Sequence, residues 1–324
     1  MGDPAGVGPE VLLKALAFIR PELLEGRTSV AVVGDLAWLK RLSRRLGIAV
    51  PWRHVKWVDC GAVPAALRPG RAQTAGGRVA HACLVEAVRL LRAGEADALV
   101  TAPVSKEAVV RAGIPWVGHT EFLARAFRRP VTMMLVTGRF RAALVTTHLS
   151  VRRLPAALRR AEVTAALRRT REALTRDFGI RRPRIGLAAL NPHGGEGGLF
   201  GGEEKRILRP AARSFARAMG GSSGGSVEGP LPVDWLMLAA AQGRYDAVVA
   251  LYHDQALIPV RMLGWERAVN VTLGLPFVRT SPVHGTAFDL AGKGKADPRS
   301  MQAAIRLAVE LARKREKGSG TFSR

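Results

Sequence analysis

Apolar positions along this chain fall into two rhythms. Short β-branched runs at 29–34, 98–101, 131–136, 142–147, 185–190, 247–251 and 269–273 have the length and composition of buried strands. Between them, apolar residues recur at helical spacing near 10–24, 36–46, 79–93, 153–176, 203–218 and 299–315. Strands that alternate with helices predict an α/β fold with a largely parallel sheet and helices on both faces. Sheets of that kind gather ligands at the carboxyl ends of their strands, where the polar motifs of this chain also fall.

At 324 residues the chain exceeds the usual size of one domain, so two domains, or one unit in two lobes, are expected. Hydrophobic residues make up 48% and aromatics only 6%, which favours helices built from Ala, Leu and Val on buried strands. The stretch 220–226, GGSSGGS, reads as a flexible loop and 314–324 as a frayed polar tail; neither is expected to carry chemistry. A formal net charge of +24 raises nucleic acid as a partner, because Lys and Arg neutralise phosphates. The basic residues, mostly arginine, are instead scattered along helical segments such as 152–182, with no zinc-finger spacing and no DNA-reading module. They read as solvated helix faces, with anionic substrates a secondary benefit and no specific nucleic-acid partner. Cys60 and Cys83 form no CxxC pair, no apolar run approaches membrane-spanning length, and the start carries no signal-like pattern. A protein of the reducing cytoplasm without a membrane partner is therefore expected.

Candidate chemistry is concentrated in a few motifs. The opening GDPAGVGPE, 2–10, places three glycines before a helix, either as an anion site of free N–H groups or as a plain tight turn. Such turns ordinarily follow a strand and none precedes this one, so either Met1 is internal to a longer protein or the first sheet position is absent or replaced. TAPVSK, 101–106, and GHTE, 118–121, each open a helix, where Ser105 and Thr120 read either as N-caps or as ligand contacts. His148 in TTHLS, His193 in NPHGGEGG and His253 in YHDQ each follow a predicted strand. If those strand ends converge, they form a three-imidazole metal site with an open position. Glycines let the backbone around His193 and Glu196 approach a ligand, and a buried strand ending in His253-Asp254-Gln255 leaves polar groups unsatisfied unless something binds there. Asp234 starts a helix as its cap, its first-turn acid or a site residue, and His54 and His81 read as surface residues.

HGTAFDLAGKGKAD, 284–297, resembles the loop with which isopropylmalate and isocitrate dehydrogenases hold the adenosine half of their nicotinamide cofactor. Taken with GDPAGVGPE, TAPVSK, GHTEF, TTHLS, NPHGGEGG, GPLPVD, YHDQALIP and VNVTLGLPFVRTS, in that order, the chain resembles the 4-hydroxythreonine-4-phosphate dehydrogenase family of pyridoxal phosphate biosynthesis. The resemblance implies a two-lobed α/β/α, isopropylmalate-dehydrogenase-like fold, with 1–125 and 268–324 as a cofactor-side lobe and 126–267 as a metal and dimerisation lobe. It implies that His148, His193 and His253 hold a divalent metal, one of them supplied by the neighbouring subunit of a homodimer. His119, Thr120, Asn270 and Arg279 would contact a phosphorylated substrate, Asp234 and Asp254 would stand beside the metal, and His284, Gly285, Thr286 and Asp289 would lie against NAD. Arg261 departs from the pattern, standing where the family usually has a substrate-touching lysine; arginine keeps the charge but cannot release a proton at physiological pH.

On that resemblance the expected reaction is NAD-dependent and metal-dependent oxidation and decarboxylation of 4-phosphooxy-L-threonine to 3-amino-2-oxopropyl phosphate. Three nitrogen ligands favour zinc or cobalt over magnesium, with manganese also conceivable. D-threonate or D-erythronate 4-phosphate is the alternative substrate, with Arg261 as its hint. From other classes, a polyanion-binding protein and a phosphate acyltransferase are the alternatives.

Overall fold

The structure is a computed structural model that describes residues 1–218 and 225–319, so most of the expected 220–226 loop lies outside the described residues. The chain forms two compact units, one from Met1–Arg128 and Phe277–Glu310, the other from Arg129–Pro276 and the chain from Leu311 onward. The first opens with α1 (Gly8–Phe18), α2 (Arg20–Leu24), β1 (Ala31–Val33), α3 (Leu36–Leu46), β2 (Lys56–Val58), α4 (Thr74–Arg92), β3 (Ala98–Val100), α5 (Lys106–Arg111) and α6 (His119–Phe127). The second follows with β4 (Thr132–Thr137), β5 (Phe140–Leu144), α7 (Leu154–Ala157), α8 (Arg160–Arg176), β6 (Arg184–Ala188), α9 (Arg209–Ala218) and β7 (Ser226–Leu231). It is completed by α10 (Val233–Ala241), β8 (Ala247–Ala250), α11 (His253–Gly264) and β9 (Val269–Leu273). Next, β10 (Val278–Pro282) returns to the first unit, and α12 (Arg299–Ser319) begins there and ends in the second.

In the first unit β1 pairs with β2 and β3 with β10, both parallel. The helical rhythm of α1 turns Val11, Leu13 and Leu16 inward, where they cluster with Leu39 and Leu42 of α3 and Met301 and Ile305 of α12. Each such buried leucine contributes about 1.5–3 kcal/mol. The boundaries of α3 are set by local chemistry. The Asp35 carboxylate accepts from Trp38 N–H at 2.8 Å as the N-cap and from Val63 N–H at 2.8 Å, while Gly47 ends the helix at φ 65°.

The second unit contributes strands in the order β9-β4-β5-β8-β6-β7. The strands β5, β8, β6 and β7 are mutually parallel, and β8 is buried along its whole length. Within the largely parallel sheet that was expected, β4 runs antiparallel to both β5 and β9. The physical reason is the connection: only Gly138 and Arg139 separate β4 from β5, which closes a hairpin but cannot support a crossover. The strand β9, placed by sequence in the cofactor-side lobe, belongs to this unit through its ladder with β4. The expected frayed tail is also corrected. Residues 314–319 continue α12, where Arg315 Nε lies 2.6 Å from Asp177 Oδ1 and Lys314 donates to Phe178 O at 3.3 Å, while 320–324 lie outside the described residues.

Candidate functional site

The three histidines singled out by sequence follow β5, β6 and β8, which lie side by side and run in one direction. Pairing between β5 and β8 continues beyond the strands: Val145 N–H donates to Ala250 O at 2.9 Å and Thr146 N–H to Leu251 O at 3.1 Å. That register delivers His148 beside His253, with ring centroids 5.7 Å apart. His253 is the first residue of α11, and its Nδ1 lies 2.7 Å from Asp254 Oδ1. A carboxylate on one ring nitrogen fixes the tautomer and leaves Nε2 as the lone pair, which suits a metal ligand. His193 stands apart from this pair, 6.5 Å from the Phe200 ring, and among the described residues no three His, Cys, Asp or Glu side chains close on one point.

The loop that carries His193 is built by backbone conformation. His193, Gly194, Gly195, Glu196 and Gly197 all have positive φ, and two of them are not glycine. Left-handed His193 and Glu196 store about 1–3 kcal/mol each, which a surrounding anchor must offset. Glu204 is that anchor: buried, it accepts from Leu190 N–H at 2.9 Å, Asn191 N–H at 2.8 Å and the Asn191 amide at 3.0 Å. Burial alone would raise its carboxyl, yet these donors hold it below the usual range. Sequence reading passed over Glu204, whose only signal was a carboxylate close after a glycine run. It also left Gln255 unsatisfied; in the structure Gln255 accepts from Leu251 N–H at 2.8 Å and donates to Ala189 O at 2.9 Å, tying the ends of β8 and β6. Asp234 is exposed in the first turn of α10, where no side chain caps the helix, and Arg261 is exposed near the end of α11 with its guanidinium 4.3 Å from the Trp265 ring centre. Asn270, on β9, carries a buried Oδ1 without a hydrogen-bond partner among the described residues.

In the first unit the chemistry centres on Arg279, a β10 residue only 2% exposed that donates from Nη2 to Thr101 Oγ1 at 2.7 Å. Burial lowers its pKa to about 10, with Glu121 opposing, so it remains a cation at neutral pH. His119 opens α6, and desolvation followed by the charge of Arg279 pushes it down to about 3, leaving a neutral imidazole. Behind it Trp116 packs edge-on at 5.4 Å, and Trp116 and Phe122 in turn take the His81 ring edge-on at 6.1 and 5.6 Å. His81 is therefore a half-buried part of the bed under His119, not a surface residue, and its pKa is lowered by burial. Thr120 follows His119 without capping the helix, whereas Ser105 is a plain N-cap, accepting from Ala108 N–H at 3.1 Å. A buried cation beside a neutral imidazole and hydroxyls is the donor set that a phosphate takes.

The 284–297 loop is held by the opening motif. Val7 N–H donates to Thr286 O at 2.9 Å, and Gly6 lies so close to Thr286 that an added Cβ would come within 2.9 Å of the threonine Cβ. The turn's N–H groups are spent internally, Asp3 on Pro103 O and Ala5 on the Asp3 carboxylate, which decides for a turn over an anion site at those groups. Further on, buried Glu10 accepts from Gly294 N–H at 3.1 Å and Ala296 N–H at 2.8 Å, while Lys14 donates to Gly294 O at 2.9 Å and Ala296 O at 2.8 Å. Within the loop His284 Nδ1 lies 3.0 Å from Gly285 O, and its buried Nε2 has no hydrogen-bond partner among the described residues. Gly285 faces open space and Asp289 is exposed. An orphaned acceptor, an open glycine and an exposed carboxylate fit a hydroxyl-rich and amine-bearing ligand such as a nucleotide.

Fold and side chains together define an α/β protein whose functional groups collect at strand ends, the usual place for a small-molecule site. The chain belongs to the PdxA family, described as pyridoxal phosphate biosynthetic protein PdxA, which matches residues 18–308. It is 44% identical to the 4-hydroxythreonine-4-phosphate dehydrogenase of Geobacter metallireducens across 99% of this chain and 96% of that protein. It is 43% identical to the D-threonate 4-phosphate dehydrogenase of Salmonella typhimurium across 96% of this chain and 97% of that protein. The crystal structure of 4-hydroxythreonine-4-phosphate dehydrogenase from Klebsiella pneumoniae superposes with a TM-score of 0.83 at 39% identity, covering 96% of each chain.

Proposed function

We propose that this chain is an NAD-dependent and divalent-metal-dependent dehydrogenase that oxidises 4-phosphooxy-L-threonine at its secondary alcohol and releases carbon dioxide. The product is 3-amino-2-oxopropyl phosphate, an intermediate on the way to pyridoxine 5′-phosphate. The observation that carries the reading is the pair His148 and His253 at neighbouring strand ends, with Asp254 on the back of the second ring. His148, His193 and His253 would hold the metal, with one histidine from the second subunit completing what a single chain does not close. A metal held there would supply Lewis acidity toward the alcohol oxygen and the charge that develops as carbon dioxide is lost, and NAD bound to the 284–297 loop would supply the hydride acceptor.

The remaining roles belong to side chains of this protein. Arg279, His119 and Thr120 bind the phosphate, and the neutral imidazole of His119 donates a hydrogen bond without adding charge. Asp254 orients His253, Asn270 contacts the substrate, and Asp234 takes or returns a proton. His284, Gly285, Thr286 and Asp289 hold the adenosine half of NAD on a loop braced by Glu10 and Lys14. A cytoplasmic homodimer accounts for the apolar side chains left exposed on α10 and α11, where Leu238 and Ile258 are each 59% exposed and Met262 is 81% exposed.

A second reading keeps the chemistry and changes the substrate to D-threonate 4-phosphate. It is favoured by Arg261, which cannot shuttle a proton and which lies over Trp265. The test is NAD reduction by purified protein with each substrate, before and after chelation, with zinc, cobalt, manganese or magnesium returned. Metal-dependent turnover of 4-phosphooxy-L-threonine supports the first reading. Preference for the sugar-acid phosphate by more than about tenfold, roughly 1.4 kcal/mol in transition-state binding, supports the second. No reduction with either substrate in metal-loaded, folded protein refutes both.

A further inference from the structure

Beside the 284–297 loop, the fold of the first unit brings the two cysteines together. Cys60 follows β2 and Cys83 sits within α4, yet their sulfurs are 2.7 Å apart. Cys83 is 4% exposed and Cys60 is only partly buried, so a small oxidant reaches Cys60 more readily than Cys83. Ala5, Val63, Leu67 and Val79 pack around them with Phe288 against the same cluster, an apolar setting that holds the sulfurs in place. None of the roles assigned above uses either thiol.

We propose that Cys60 and Cys83 form a reversible dithiol–disulfide site that is oxidised by hydrogen peroxide. The two thiols share one hydrogen bond, which brings the ionisation of Cys83 down to about 7 and holds the second proton of the pair correspondingly high. One shared proton between two sulfurs means that its transfer to Cys83 leaves a thiolate on the more accessible Cys60. That thiolate attacks a peroxide oxygen; the S–O bond forms, the O–O bond breaks, and hydroxide leaves and is protonated to water. Cys83 sulfur then attacks Cys60 sulfur, forming the S–S bond and breaking S–O; the Cys83 proton leaves with the hydroxyl as a second water. Two thiols are oxidised, one peroxide is reduced to two waters, and a thiol reductant reverses the change. In a reducing cytoplasm such a pair registers oxidant exposure and does not serve as a permanent staple.

The test treats the native full-length protein with hydrogen peroxide, blocks remaining thiols with iodoacetamide under denaturing conditions, and digests it with trypsin. A cross-linked pair of peptides, one containing Cys60 and the other Cys83, two hydrogens lighter than their sum and absent after dithiothreitol, is expected. It should form at least about tenfold faster in native protein than in urea-unfolded protein, because only the fold supplies contact between the sulfurs. Cys60→Ser and Cys83→Ser should each lack it. Equal rates in native and unfolded protein, or sulfinic acid at Cys60 with Cys83 still alkylated, would overturn the proposal.

Discussion

Replacing Glu10 tests whether the opening motif is a structural brace for the 284–297 loop. Glu10 is 1% exposed, its two oxygens accept from two loop N–H groups, and Oε1 also lies 2.9 Å from Lys14 Nζ. Lys14 answers on the same stretch with two carbonyl bonds, so the i,i+4 pair grips Gly294 and Ala296 by donor and acceptor alike. In Glu10→Ala both N–H groups lose their acceptor, and the ammonium loses its carboxylate and keeps only the two carbonyls. Removing one member of a buried pair costs about 3–5 kcal/mol, a large part of the roughly 5–15 kcal/mol that holds a domain. Glu10→Gln keeps one acceptor oxygen but turns an amide N–H toward another donor, and should lose about 2–3 kcal/mol. Lys14→Met leaves both bonds from the loop N–H groups to Glu10 intact, and its side chain is 21% exposed, so about 1–2 kcal/mol is expected. Urea melts read all three, and titration of NADH fluorescence should show affinity falling in the same order. A Glu10→Ala protein within 1 kcal/mol of wild type, or NADH affinity unchanged in a folded Glu10→Gln protein, would refute the brace.

Three further outcomes follow from the geometry. His119 stays neutral down to about pH 3 in the folded chain but takes a proton near 6.5 when unfolded, so its contribution is complete above that value and is lost as pH falls. Between pH 7 and 5 it should remove at most about 2 kcal/mol, less as solvent screens the partly buried ring, and His119→Asn should flatten urea stability across that interval. Glu204→Ala frees the strained 192–198 loop and leaves two N–H groups unsatisfied; a loss of about 2–4 kcal/mol is expected in thermal melts, together with weaker zinc uptake by calorimetry. His253→Ala removes a ring whose carboxylate partner is already in place, and should lower zinc affinity at least about 100-fold while leaving the melt within about 1 kcal/mol, since the ring is a third exposed. Unchanged zinc affinity in that variant would remove His253 from the metal set.

Much of the fold was legible because many of its helices are one-sided: α3, α4, α8 and α12 each bury a stripe and wet the rest, and that contrast is written in the sequence. Shorter helices were legible only at their starts. The helices α5 and α10 are too brief or too uniformly apolar to display a period, and only their starts were marked, by Ser105 of TAPVSK and by Asp234. Strand direction was lost for a different reason. The apolar runs of β4 and β5 look like those of a parallel sheet because both are largely buried, and only the two-residue connection carries the information that they fold back. Likewise Glu10 and Lys14 have the spacing of an exposed helical ion pair; the loop that buries them lies 280 to 284 residues away in sequence.

The histidines show how far strand-end reasoning reaches and where it stops. Three parallel neighbours, β5, β8 and β6, carry their following residues to one edge of the sheet, so a histidine placed shortly after each needs no further design to be near the others. Nearness becomes alignment only through register. Val145 and Thr146 pair with Ala250 and Leu251 beyond the strands, and a one-residue slip would turn alternate side chains to the opposite face. Gln255 guards against that slip by binding Leu251 N–H and Ala189 O together, which makes a residue read as an unsatisfied ligand contact into the clasp that holds His253 at its place. His193 has no such clasp; its position rests on a left-handed loop and on Glu204, so it is the member of the trio whose placement is most open to adjustment by whatever it binds.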